Sequence, residues 1–318
     1  MKKVRWVHEP IELFRRTAEK FATEIERLAP GEFEVEILTL SEFATQYNEG
    51  VAVSRNDFIT LIREGKLEMC QVYTSKLAEL NSDLRVLDMP YLFSSYVEAG
   101  NALAGQVGID LLKGLFDGED AVVRGLAYTF AGGYNMIPAT KEIDTTDDLV
   151  GVSIRCDDNE IAKKTFEAIG ATPVALEVEQ IKQAVTDGTV AAADANYTQF
   201  FANEGDDVMK TLNDTRHSMN VAAIVCGKAF WKSLDKSSEL RGKVADAALL
   251  TAEAEQEWSV DEMFDLEIKC TNEGITVNRM TTDERTAFMQ ATAGLYDTIS
   301  LPAGVADRIR AYGTDAEE

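Results

Sequence analysis

The sequence predicts an α/β fold in two units, linked by strands that pass between them and braced by one long helix. Three observations carry this expectation. Strand-like and helix-like segments alternate as far as Tyr73, and the same alternation resumes at Val152. A helical pattern from Ser237 to about Asn272 would span about 50 Å at 1.5 Å per residue, more than one domain is wide. With 318 residues, 45% of them hydrophobic, the chain has enough apolar material for two cores.

In chain order, Val4–His8 reads as a short strand. Pro10 suits the first turn of a helix from Ile11 to Ala29, where Leu13, Phe14, Phe21, Ile25 and Leu28 recur at helical spacing. Gly31 ends it, and the alternating Phe33-Glu-Val-Glu-Ile-Leu predicts a half-buried strand. A polar loop to Arg55, helix Asp57–Glu64, a turn at Gly65 and strand Leu67–Tyr73 follow, an order that favours a parallel, helix-covered sheet. Leu84–Met89 and Pro90-Tyr-Leu-Phe connect to a helix from about Val97 to Phe116, and Val122–Phe130 is a long strand with Gly132-Gly133 immediately after it.

The second half repeats the pattern. Strand Val152–Cys156 precedes helix Asn159–Ile169, closed by Gly170. Thr172–Leu176, helix Glu179–Thr186, Gly188 and strand Val190–Ala195 come next, then strand Val221–Cys226, Lys228–Leu234, the long helix, strand Ile275–Arg279 and a final helical region with Thr281 as N-cap. Two α/β units joined in this way place a ligand cleft at their junction, outside strand carboxyl ends. The expected division is 1–127 with about 218–254 as one domain, and 128–217 with about 255–318 as the other.

Composition narrows the function. The chain has 55 acidic against 31 basic residues and a formal net charge of −24, which argues against nucleic acid or an anionic membrane as partner. No stretch approaches the length of a membrane span. Cys70, Cys156, Cys226 and Cys270 form no CxxC pair and interrupt apolar segments, so buried free thiols are expected. Nucleophile-elbow, zinc-hydrolase, P-loop and dinucleotide motifs are all absent, and no nucleophile–base pair emerges. Only His8 and His217 are histidines, both near expected strand ends. The chain reads as a binder, without cofactor or metal, more than as a catalyst.

One residue points to what is bound. Arg155 ends an apolar strand, where a guanidinium is costly unless an anion meets it, and its planar fork suits a carboxylate. A structural ion pair with one of the many acids is the alternative. Asn196 lies at a similar strand end, after Ala191-Ala-Ala-Asp-Ala.

An ordered series of segments then resembles the solute-binding subunit of tripartite ATP-independent periplasmic (TRAP) transporters, of DctP type. These are the strand ending at His8, helix Ile11–Ala29, Gly65-Lys-Leu-Glu-Met, Leu87-Asp-Met-Pro-Tyr-Leu-Phe, and Gly125-Leu-Ala-Tyr with Gly132-Gly133. Ile143-Asp-Thr-Thr-Asp-Asp-Leu-Val-Gly-Val-Ser-Ile-Arg is similar to the family's segment ending in Ile-Arg; Gly170-Ala-Thr-Pro-Val, Glu179, Ala184-Val-Thr-Asp-Gly-Thr-Val, Asp194-Ala-Asn-Tyr, His217-Ser-Met and Trp231-Lys-Ser-Leu complete the set. The resemblance covers most of residues 4 to 280.

The resemblance implies a periplasmic-binding-protein-like fold of class II type, closing on a small organic acid and delivering it to a membrane permease. It also implies a periplasmic location, a signal peptide already removed, and a monomer. Arg155 becomes the carboxylate anchor. Asn196 and Asn135 would add amide contacts, and Gln71, Tyr73, His8, Glu9 and Tyr134 would read the rest of the guest. The tract Val190-Ala-Ala-Ala-Asp-Ala-Asn-Tyr resembles that of sugar-acid members, with Asp194 in place of a glutamate, Ala195 in place of an asparagine, and Tyr197 keeping aromatic character. Asn135 stands where many members carry a second arginine, which suits a monocarboxylate better than a dicarboxylate. A zwitterionic or ectoine-like solute, taken with help from Glu9, is the rival on the same fold; an enzyme on a related scaffold is the rival of another class.

Overall fold

A computed structural model describes residues 1–117, 120–234 and 239–314. Among the described residues there are nine strands: β1 (Lys2–His8), β2 (Phe33–Thr39), β3 (Met69–Tyr73), β4 (Val123–Ala139), β5 (Ser153–Cys156), β6 (Thr172–Ala175), β7 (Ala192–Ala193), β8 (Thr211–Gly227) and β9 (Thr276–Asn278). The chain divides into two compact units, one of residues 1–84, 100–131 and 221–259, the other of 85–99, 132–220 and 260–318. Segment 85–99, expected in the first, belongs to the second. The strand order is β2-β1-β3-β8-β4-β7-β5-β6, with β9 on β8, and β4 and β8 contribute residues to both units.

The α/β expectation holds, with a mixed sheet instead of a parallel one. β1 pairs in parallel with β2 and β3, and β5 with β6 and β7, as the alternating βα grammar requires. β8 runs antiparallel to β3, and β4 to β7. The long strands, not βα crossovers, account for the mixture.

In the first unit, Val4 and Trp6 of β1 face the helix Glu12–Leu28, whose Ala18, Phe21 and Ile25 lie on one stripe. The rings of Trp6 and Phe21 lie 5.2 Å apart between centroids. Burying Phe21 in this way contributes about 2 kcal/mol. The polar stretch after β2, expected as loop, forms helix Leu40–Tyr47 because Thr39 and Glu42 make a reciprocal capping box. The helix expected from Val97 to Phe116 is two, Tyr96–Ala104 and Gln106–Gly114, broken at Gly105.

In the second unit one apolar cluster gathers Ile137, Ile154, Phe166 and Phe288, and another gathers Met136, Ile181, Phe200 and Leu212. Asn213 is a buried junction between them. Its amide donates to the Ile137 carbonyl at 2.9 Å and accepts the Ile143 N–H at 2.8 Å. Asn213→Ala is expected to lower unfolding free energy by about 2–4 kcal/mol, read as a reduced urea midpoint at unchanged slope.

The long helix runs Leu240–Asn272, 33 residues; the start expected at Ser237 lies outside the described residues. Residues 240–259 belong to the first unit and 260–272 to the second. Thr281 caps the helix Thr282–Thr292 through a capping box with Glu284, as expected. All four cysteines are free and buried. No helix among the described residues is long and apolar enough to cross a membrane.

β4 and β8 are longer than the sequence indicates. Gly132-Gly133, expected just beyond a strand, sit inside β4, and His217, expected near a strand end, sits inside β8. At the bend in β4, Ala131, Gly132 and Gly133 all have positive φ, 47°, 89° and 81°. A Cβ on Gly132 would lie 2.7 Å from the Asn196 amide nitrogen, and one on Gly133 would lie 2.2 Å from the Tyr96 hydroxyl, so both positions require glycine. Glu255 of the long helix closes the bend, its carboxylate accepting the N–H groups of Phe130 at 2.7 Å and Ala131 at 2.9 Å.

Candidate functional site

Arg155 lies in β5, flanked by the parallel strands β6 and β7, in register with Val174 and Ala193. The small residues of β7 and the strand end let its side chain fold back among main-chain carbonyls. Only 2% of it is exposed. Nε donates to the Leu176 carbonyl at 2.8 Å, and Nη1 to the Asp194 carbonyl at 3.0 Å. Nη2 donates to the carboxylate of Asp157, two residues on. The ion pair left open by the sequence is thus present. It is lopsided, because the Asp157 side chain is 38% exposed while the guanidinium is interior.

Acids gather around this fork. The Asp194 carboxylate meets His217 Nε2 at 3.2 Å, and the His217 Nδ1 lies 2.8 Å from the Thr215 hydroxyl. Asp88, half-buried, has its carboxyl pushed up to about 8, first by burial and then by the charges of Asp157 and Asp194, against the pull of Arg85. Of these acids it is Asp157 whose carboxylate meets the fork, while Asp88 feels the charges of Asp157 and Asp194.

The other residues expected in the second unit divide into two kinds. Asn135 is 6% exposed, and its amide donates to Ser218 Oγ at 3.2 Å and Asn220 Oδ1 at 3.3 Å. Asn196 is fully buried, but its Oδ1 accepts the Gln199 N–H at 2.8 Å and caps the helix Tyr197–Ala202, so that oxygen is committed to the fold. The Tyr134 hydroxyl donates to the Phe93 carbonyl at 3.3 Å, its ring packs edge-on against Tyr96, and burial raises its pKa. Tyr197 belongs to the apolar cluster of Phe200 and Leu212. Both tyrosines have packing roles.

In the first unit, His8 Nδ1 lies 2.6 Å from the Glu9 carbonyl, and Glu9 is 3% exposed. Gln71 donates to Thr129 Oγ1 at 2.7 Å, while its Oε1 is buried without a hydrogen-bond partner among the described residues. The Tyr73 ring packs against Phe14 at 5.9 Å and under the Arg55 guanidinium at 5.4 Å. Asp88, Asp157, Ser218 and Asn220 were not expected at a site. The alternation of Ser218 and Asn220 with Met219 and Val221 would reveal the last pair, once β8 is known to begin at Thr211.

The family described as bacterial extracellular solute-binding protein, family 7 (DctP), matches residues 7–301. The C4-dicarboxylate-binding periplasmic protein DctP of Rhodobacter capsulatus is 24% identical over 294 residues, 90% of this chain and 82% of that protein. Two solved TRAP periplasmic solute-binding proteins share the fold. One, from Shewanella oneidensis with bound succinate, has a TM-score of 0.86 at 16% identity, covering 98% of this chain and 99% of that one. The other, from Xanthobacter autotrophicus Py2 with bound β-D-galacturonate, has a TM-score of 0.83 at 17% identity, covering 97% and 98%.

Proposed function

Because this chain belongs to the DctP family of bacterial extracellular solute-binding proteins, we propose that it is the periplasmic receptor of a TRAP transporter for a small organic monocarboxylate of sugar-acid type, handed on to membrane permease subunits. Arg155 is the anchor. The observation that carries this reading is an interior guanidinium whose own carboxylate partner is more than a third exposed. A guest carboxylate that displaces Asp157 gains a preformed fork already oriented by two carbonyls, and Asp157 turns to solvent at little cost. The galacturonate-bound structure of the same fold supports the sugar-acid class, and the succinate-bound one shows that the fold also serves other acids.

A zwitterionic solute is the second reading, favoured by Asp157 and Asp194, which meet the Arg155 guanidinium through a carboxylate and a main-chain carbonyl and suit an ammonium beside a carboxylate. A thermal-shift series with D-galacturonate, L-gulonate, succinate, glycine betaine and ectoine separates the two. At a hundred times Kd a true ligand stabilises by about 2.7 kcal/mol, or about 4 °C in Tm for a chain of this length. The sugar acids are expected to give that shift; a shift from the zwitterions alone would replace the first reading with the second.

A further inference from the structure

We propose that Asn135, Ser218 and Asn220 form a neutral specificity subsite that reads a hydroxyl of the solute and turns away a second carboxylate. This rests on the reading of the chain as a carboxylate receptor. The three residues lie in the second unit, on β4 and β8. Asn135 Nδ2 donates to Ser218 Oγ at 3.2 Å and to Asn220 Oδ1 at 3.3 Å. Asn135 Oδ1 and Asn220 Nδ2 are both buried and have no hydrogen-bond partner among the described residues.

That mismatch does not depend on which way the amides are turned. Rotating both exchanges the roles, so that Asn220 donates to Asn135, and again leaves one amide donor and one amide acceptor over. Rotating only one sets like atoms together. In either paired arrangement the cluster offers one N–H and one C=O. Buried amide atoms of this kind are costly to leave unmet. A hydroxyl donates and accepts at once and satisfies both. A carboxylate only accepts, would face the carbonyl oxygen, and finds no charge within the cluster to offset it.

The test is calorimetry with D-galacturonate, D-gluconate, hexanoate and succinate on the intact chain and on the Asn220→Asp, Ser218→Ala and Arg155→Lys variants. Asn220→Asp keeps the shape, removes the amide donor and adds a charge that acts on all four acids, and Ser218→Ala is a second, neutral and milder probe of the same cluster. The wild-type protein is expected to prefer a hydroxylated acid over hexanoate and succinate by at least about a hundredfold. Asn220→Asp is expected to cut that preference about tenfold or more, and Ser218→Ala by a smaller factor. Arg155→Lys is expected to weaken all acids alike and leave the preference intact. Unaltered preference in both cluster variants, as a cluster filled only by water would give, overturns the subsite, as does failure of the wild type to bind either hydroxylated acid. Unaltered affinities in Arg155→Lys would overturn the anchor instead.

Discussion

Arg155→Ala is expected to lower affinity for the acid by two orders of magnitude or more, the loss of a charged, buried hydrogen-bonded pair worth about 3 kcal/mol. The same substitution harms the fold. It strips a cation from the Leu176 and Asp194 carbonyls and from Asp157, and should lower stability by about 3 kcal/mol. Arg155→Lys separates the two effects, because the ammonium keeps the charge and loses the planar fork. It should remain folded by circular dichroism and still bind at least about tenfold more weakly. Calorimetry showing wild-type affinity in a folded Arg155→Lys protein would remove the anchor.

The second large effect concerns Glu255 at the bend of β4. Burial raises its carboxyl from 4.5 to about 7, although the N–H groups of Phe130 and Ala131 and the hydroxyl of Ser259 pull the other way. Between these two values the folded chain holds a proton that the unfolded chain has released. The contribution of this group to stability is therefore complete below pH 4.5 and is lost as pH rises through about 7. The span corresponds to about 3 kcal/mol. In Glu255→Gln the amide cannot ionise, so stability relative to wild type should rise between pH 5 and 7.5, though the amide meets only one of the two backbone donors as acceptor. Urea unfolding at pH 5, 6 and 7.5 reads the difference directly; parallel pH profiles for the two proteins would contradict it.

The fold was legible where local signals agree with tertiary context. Helix Glu12–Leu28 follows its apolar stripe, Thr281 caps the helix it announces, and β1, β2 and β3 take the expected βα order. Legibility failed where long strands leave the apolar code. Residues 211–220 are mostly polar, yet they are β8, held by pairing with β9 and by the Asn213 junction, not by burial of an apolar face alone. Gly132-Gly133 looked like a terminus because glycine commonly marks one, whereas here it bends a strand that continues to Ala139.

The site was partly readable for a related reason. An arginine at a strand end is conspicuous, and Arg155 is interior as expected. Its partner was harder to see. Asp157 sits two residues away in a stretch that capping explains equally well, and no spacing rule says whether its side chain turns back to the strand. Asn196 carries a second role that the sequence did not separate from binding, since a polar residue after a strand serves as readily as a helix cap, and its Oδ1 does so here.

The most direct measurement is a crystal structure with whichever acid shifts Tm most. The acid's carboxylate is expected on the Arg155 guanidinium, with the Asp157 carboxylate rotated away and the Leu176 and Asp194 carbonyl contacts retained. A complex in which Asp157 still holds the fork, and the acid binds elsewhere, would contradict the assignment of Arg155 as the anchor.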